Sequence, residues 1–279
     1  MMPTFLRLLV VSALVLPILV DASPSSTSPI PLNPKGIAPI PIPFIDNLLA
    51  GAKRANLPET NAQRMKRGLG PKRPKHRYPK RALHPRQSSS PCVNPTGFIG
   101  VEYVNGDGAT VDGYVASAPN EFGEYSFIQG QDTALRVQLN NCNLDGEPFD
   151  ILTLTGIANE PYLGLIDGFS NETPTLGPGS YNYVYLGGTS QTPSGSAPLV
   201  QSNSFTDATN IPESVESAVW ELASNGVLTA SWVNPDTTSP PQVLLFVPSA
   251  GTFTVTGDYQ AFRDTFGPAF PVTFTFIPA

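Results

Sequence analysis

The chain has 279 residues, 40% of them apolar and 14% charged, enough for one domain of ordinary size or two small ones. Its charge is divided rather than mixed. Residues 23–90 hold 13 basic and 2 acidic side chains, a net +11, whereas from Pro91 onward two basic residues, Arg136 and Arg263, face 19 acidic ones, a net −17, with no Lys, His or Met. This argues against nucleic acid or an anionic membrane as partner of the acidic part. It also excludes from residues 91–279 any catalytic triad, Schiff base or metal site that needs His or Lys, unless His84 folds back from the tail before it.

In chain order, residues 1–22 read as a secretory signal peptide: Arg7, then the apolar run Leu8 to Val20, then Val20-Asp21-Ala22 as a cleavage site. The run is about 13 residues against the roughly 20 needed to cross hydrocarbon, so the expectation is secretion, with no membrane attachment after maturation. Residues 23–90 read as a disordered pro-segment. Its first part is rich in Pro and Ser, and Pro39-Ile40-Pro41-Ile42-Pro43 predicts extended, unpacked chain. Its second part carries Lys53-Arg54, Lys66-Arg67, Lys72-Arg73 and Lys80-Arg81. Behind a signal peptide these pairs resemble sites for a kexin-like processing protease, with cuts after Arg54, Arg67 and Arg81 and a mature chain beginning near Ala82. The opposite charge of this segment suits it to shield the acidic domain until it is cut.

Residues 91–279 are the acidic domain. Cys92 and Cys142 are the only cysteines, and in an oxidising compartment a lone pair is most simply one disulfide. Asn171-Glu172-Thr173 is a glycosylation sequon among loop-forming residues. Short runs rich in Val, Ile, Thr, Tyr and Phe, parted by Gly, Asn, Asp and Pro, predict strands near 98–104, 111–116, 124–128, 133–139, 151–155, 181–186, 218–222, 227–233, 242–247, 252–256 and 271–277. Short helices are expected over 212–219 and over 259–266, the second capped by Asp258. The fold class is all-β, a β-sandwich that is jelly-roll-like or built of two related halves. The second option rests on an internal echo between Val101–Val115 and Val219–Val233, each strand, Gly-containing turn, strand.

With His and Lys excluded, an enzyme here is left with carboxylate chemistry, such as that of glycosidases. The basic pro-segment, the all-β composition and the scarcity of Lys resemble secreted, acid-acting glutamic peptidases, and Tyr162 to Gly168 and Trp220-Glu221 echo their motifs. The Gln that this resemblance implies as partner of a catalytic Glu has no match after Gly168. Asn105 and Asp107 in a Gly-rich turn, with Asp112, are candidate calcium ligands, as are Asp145 and Glu147 with Asp150; the competing reading is ordinary turn chemistry. No cofactor is expected. Tyr181, Tyr183 and Tyr185 alternate and so share one strand face, either a platform for an extracellular glycan or part of the core; Trp220 and Trp232 read as core.

From residue 219 onward, Val219-Trp220, Ala230-Ser231-Trp232-Val233-Asn234, Thr256-Gly257-Asp258, Ala261-Phe262 and Thr273-Phe274-Thr275-Phe276 resemble secreted β-rich proteins of mushroom-forming fungi that bring no assigned activity. The favoured expectation is a secreted, proteolytically matured β domain with a carbohydrate- or cell-wall-associated binding role. An acid-acting carboxylate hydrolase and a precursor of small basic peptides, such as Ala55 to Arg67 or Gly68 to Arg81, are the alternatives.

Overall fold

The computed structural model of the chain describes residues 30–46, 65, 66, 68, 93–140 and 147–279. The signal-peptide run, Arg54, Arg67, Arg81, Cys92 and Cys142 lie outside the described residues.

The domain is all-β, as its composition predicts. Its strands are β1 (Phe44–Ile45), β2 (Thr96–Val104), β3 (Thr110–Pro119), β4 (Tyr125–Ile128), β5 (Arg136–Leu139), β6 (Ile151–Thr153), β7 (Gly156–Ile157) and β8 (Tyr162–Asp167). There follow β9 (Tyr183–Thr189), β10 (Leu199–Val200), β11 (Ser214–Glu216), β12 (Trp220–Leu222), β13 (Val227–Ala230), β14 (Val243–Val247), β15 (Thr252–Thr256) and β16 (Phe270–Pro278). Two helices, α1 (Ser204–Thr209) and α2 (Tyr259–Phe266), lie among them. None of the helices described is long and apolar enough to cross a membrane.

The expected sandwich of two sheets is corrected by the pairing. Antiparallel neighbours run β2, β16, β14, β15, β9, β8, β6, β5 and back to β2, which closes a barrel-like ring. The long strands make closure possible by changing partner along one edge: β16 pairs with β14 at Phe270 and Pro271 and with β13 at Phe274 and Thr275, while its other edge follows β2. The hairpins β12–β13 and β3–β4 branch from the ring in this way.

The two echoing segments are both hairpins with the same loop chemistry. Asn105 N–H donates to the Ala109 carbonyl and Ala223 N–H to that of Val227, and Gly108 and Gly226 take the positive φ (80° and 86°) that ends each turn. They flank β16, where Phe274 is partnered by Val101 on one side and Leu228 on the other. Beyond the hairpins the likeness stops, because β4 pairs with β3 whereas β14 pairs with β15 and β16.

The helix expected over 212–219 is strand β11, and the helix comes earlier. Asn203 caps α1 by accepting from Thr206 N–H at 2.8 Å, while Val215 and Glu216 complete the edge of β8 against Ile166 and Leu165. Helix α2 forms as expected, with Asp258 Oδ1 accepting from Gln260 and Ala261 N–H, 3.0 Å each.

Strands β8, β9, β14 and β15 separate two hydrophobic layers. Leu163, Leu165, Val184, Leu186, Phe253 and Val255 point into the ring, against Trp220 and Phe274. On the opposite face Ile166, Tyr183, Tyr185, Leu245 and Val247 form a second layer, roofed by Phe205 of α1 and Phe262 of α2. Both tryptophans are core, their indole N–H groups bonded to the carbonyls of Leu163 (2.6 Å) and Pro174 (3.0 Å).

Residues 30–46 are not unpacked. Pro34 is buried and Leu32 joins the second layer. Further along, Ile40 N–H donates to the Ala208 carbonyl, Ala158 N–H donates to that of Pro43, and β1 pairs with β7. Proline sets the extended backbone in advance, and the domain supplies the partners.

Candidate functional site

The second layer holds a group of polar side chains beneath the N-terminal segment. It begins with the turn from Pro119 to Glu124. Asn120 Oδ1 accepts from the N–H groups of Phe122 and Glu124 (3.0 Å each), and Asn120 N–H donates to the Glu124 carbonyl (2.8 Å). Gly123 turns at φ +80°, with the Ser204 carbonyl so close that a Cβ there would collide with it. This turn drives Glu124 inward, to 0% exposure.

Glu124 Oε2 accepts from the side-chain amides of Asn120 (2.7 Å) and Asn33 (3.3 Å), while Oε1 has no hydrogen-bond partner. Thr252 lies near but turns its hydroxyl to the Phe253 carbonyl at 3.3 Å. Burial, opposed only by neutral donors, raises the carboxyl to about 7.

Tyr183 and Tyr185 project from the same face of β9, as their alternation predicts, and both are 0% exposed. Their rings meet edge to face at 5.1 Å, and Tyr185 stacks on Phe205 at the same separation. Both hydroxyls donate to one acceptor, the Leu32 carbonyl oxygen, at 2.5 Å each, and lie 3.1 Å apart. Burial pushes both phenols above their ordinary value, so they remain protonated donors. Ser170 Oγ donates to the Pro31 carbonyl at 2.5 Å, and a groove of about 470 Å³ runs beside Pro31 to Lys35, bordered by Phe122, Ala250 and Phe266.

The tyrosines are thus a floor covered by chain rather than an open platform. Tyr181 lies outside β9, half-buried against Phe266 at 5.8 Å. Asn171, the sequon residue, spends its amide hydrogens on Asp167 Oδ1 (2.7 Å) and the Tyr183 carbonyl (2.6 Å). Asp167 is raised to about 6 by burial, and Glu213 to about 8 by burial and then by the charge of Asp167.

The other candidates do not meet here. Asn105 Oδ1 is spent on its own turn, accepting from Asp107 N–H (3.0 Å) and Ala109 N–H (2.9 Å), and Asp112 sits opposite Glu102 in the β2–β3 ladder. Asp145 lies outside the described residues, and Asp150 accepts from Ser217 Oγ (2.6 Å) and Gln191 Nε2 (2.7 Å). Among the described residues no three acidic, His or Cys side chains gather as a metal site would require. Glu221, which the peptidase resemblance singles out, is exposed on β12 opposite Thr229. Near the two cysteines, the described chain on either side pairs: Asn94 Nδ2 donates to Asn140 Oδ1 at 3.0 Å, and Thr96 pairs with Gln138.

Sequence reasoning missed Glu124, Asn120 and Asn33. The only signal was the spacing of Asn120, Gly123 and Glu124 in a turn, which reads as surface. No family model, no curated protein and no solved structure matches this chain.

Proposed function

We propose that the chain is a secreted precursor whose β domain binds an extended polypeptide over Tyr183 and Tyr185, and that residues 30–46 fill this cleft until the connecting chain is cut at its dibasic sites. The observation that carries the reading is the double hydrogen bond from the two buried hydroxyls to a main-chain carbonyl, that of Leu32. Main-chain recognition with a side chain in an apolar pocket is how extended peptides are held generally. A polypeptide is favoured over a glycan because both tyrosines are roofed by chain and their ring faces are already packed.

The contacts are of a size that suits reversible binding. Burial of Leu32 contributes up to about 2 kcal/mol and each hydrogen bond about 1 kcal/mol net, against an association cost of about 4 kcal/mol or more, so the contact is expected to be weak and reversible once it is no longer intramolecular. The test is to cut the secreted chain with a kexin-like protease, dilute it, and titrate a labelled peptide of residues 30–46 back. Release of the fragment followed by saturable rebinding supports the proposal. A fragment that stays with the domain until the domain itself unfolds would make residues 30–46 a fixed part of the fold and overturn it.

A further inference from the structure

We infer that this cleft hydrolyses the polypeptide it binds, with Glu124 as the acid–base group and the Tyr183 and Tyr185 hydroxyls as the donors that hold the carbonyl oxygen of the bond being cut. The inference rests on the polypeptide-cleft reading above and goes one step beyond it, from binding to chemistry.

Three observations carry it. The Leu32 carbonyl oxygen receives two O–H donors from one side, both fixed by ring packing. Donors held so strengthen as negative charge builds on the oxygen, which is what addition to a carbonyl requires. The side-chain amide of the next residue, Asn33, lies 3.3 Å from Glu124 Oε2, so the carboxyl neighbours the residue that supplies the amine side of the same peptide unit. Glu124 also keeps one fully buried oxygen, Oε1, free of any hydrogen bond. Glu216 is the contrast: it is also buried, 3% exposed, but both its oxygens accept from Val233 N–H, at 3.1 and 3.0 Å, as a structural carboxyl does.

The step balances with water alone. The Glu124 carboxylate takes a proton from a water molecule as its oxygen bonds to the carbonyl carbon, and the displaced electron pair settles on the carbonyl oxygen between the two phenols. The C–N bond then breaks, and the proton on Glu124 passes to the leaving nitrogen. One water is consumed, a carboxylic acid and an amine form, and the three side chains return to their starting states. A carboxyl held near 7 by burial both accepts and returns that proton readily.

The substrate class is an extended peptide with an apolar residue on the acyl side, since Leu32 packs into the aromatic second layer. The chain's own segment resists because Asn33 adds a second donor to Glu124 Oε2 beside Asn120, and each such donor favours the charged carboxylate and so weakens it as a base. Asn33 is therefore what keeps the precursor intact.

The full chain carrying Asn33→Ala is expected to cut itself after Leu32. The processed wild-type protein is expected to cut a 30–46 peptide with the same substitution, placing heavy oxygen from labelled water in the new Leu carboxyl. The rate should rise with pH through about 7 as Glu124 ionises. Glu124→Gln should lower it by about 100-fold or more and leave peptide affinity within about threefold. Tyr185→Phe should lower it by about 100-fold. A peptide that binds but stays whole from about pH 3 to about pH 8, with the Asn33→Ala chain also intact, overturns hydrolysis and leaves binding standing; a peptide that does not bind overturns both. Cutting by Glu124→Gln at the wild-type rate also overturns the inference. Should that variant fail to fold, as its thermal transition would show, Tyr185→Phe decides, and full activity there overturns the inference.

Discussion

The two faces of strand β9 sit in different kinds of interior. Val184 and Leu186 look into the ring, a mostly apolar core in which the indole N–H groups of Trp220 and Trp232 each have a main-chain carbonyl. Tyr183 and Tyr185 look the other way, into a layer that contains hydroxyls, a carboxyl without full satisfaction, and residues from a distant part of the chain. A ring that closes on itself completes its own hydrogen bonds and needs nothing added. In the second layer the hydroxyls of Tyr183 and Tyr185 are completed by the Leu32 carbonyl, which comes from a distant part of the chain. The difference separates a part of the fold that satisfies itself from the part that, on the proposed function, receives a peptide.

The largest expected effect lies in the first interior. Trp220→Ala removes a fully buried ring stacked on Phe274 at 6.3 Å, and is expected to cost about 3–5 kcal/mol in urea unfolding. A cost below about 1 kcal/mol would mean that the ring is not the stabilising unit and would erase the comparison. Next comes pH. Glu124 titrates near 7 in the fold against 4.5 unfolded, so the folded state holds the proton more tightly. Its contribution is fully present below about 4.5 and is lost as pH rises towards 7, about 3 kcal/mol at most. Asp167, Glu213 and Glu216 are raised in the same direction. The thermal midpoint is therefore expected to fall from pH 4.5 to pH 8, and Glu124→Gln to flatten that fall. A midpoint that rises over the same range would contradict the assigned burial.

A smaller effect sharpens the contrast further. Leu32→Ala is expected to weaken docking of residues 30–46 by about 2 kcal/mol, roughly 30-fold in peptide affinity, while leaving the urea midpoint of the processed domain unchanged. A matching loss of domain stability would merge the two interiors into one.

Much of the first interior was legible in the amino-acid sequence, because its elements carry local signals. The Gly108 and Gly226 turns give the two hairpins, and outside the ring the Asp258 cap gives helix α2. Strand β8 was overlooked for a physical reason: from Leu163 to Asp167 it is buried on both faces, so it lacks the alternation that marks a half-exposed strand. Apart from that helix, the second interior was hardly legible. Tyr183 and Tyr185 were found by their spacing, but spacing gives a shared face and not what covers it. The cover was hidden by composition, since Pro31, Pro34 and the prolines up to Pro43 read as unpacked chain and nothing local tells Leu32 where to go. Glu124 was hidden by its turn, because Asn, Gly and Glu together look solvated until Asn120 is seen to bind Glu124 at both main chain and side chain.

The way residues 30–46 are joined to the domain they lie on has a further consequence. Residues 30–46 and the domain are joined through residues 47–92, 46 positions of the same chain, and a contact within one chain does not depend on the concentration of the protein. On the proposed function the uncut chain therefore stays closed however dilute it is. One cut in that connection would alter no atom of the cleft, yet it would make the same contact depend on the concentration of free peptide. Dilution, rather than any change of shape, is then the signal that opens it.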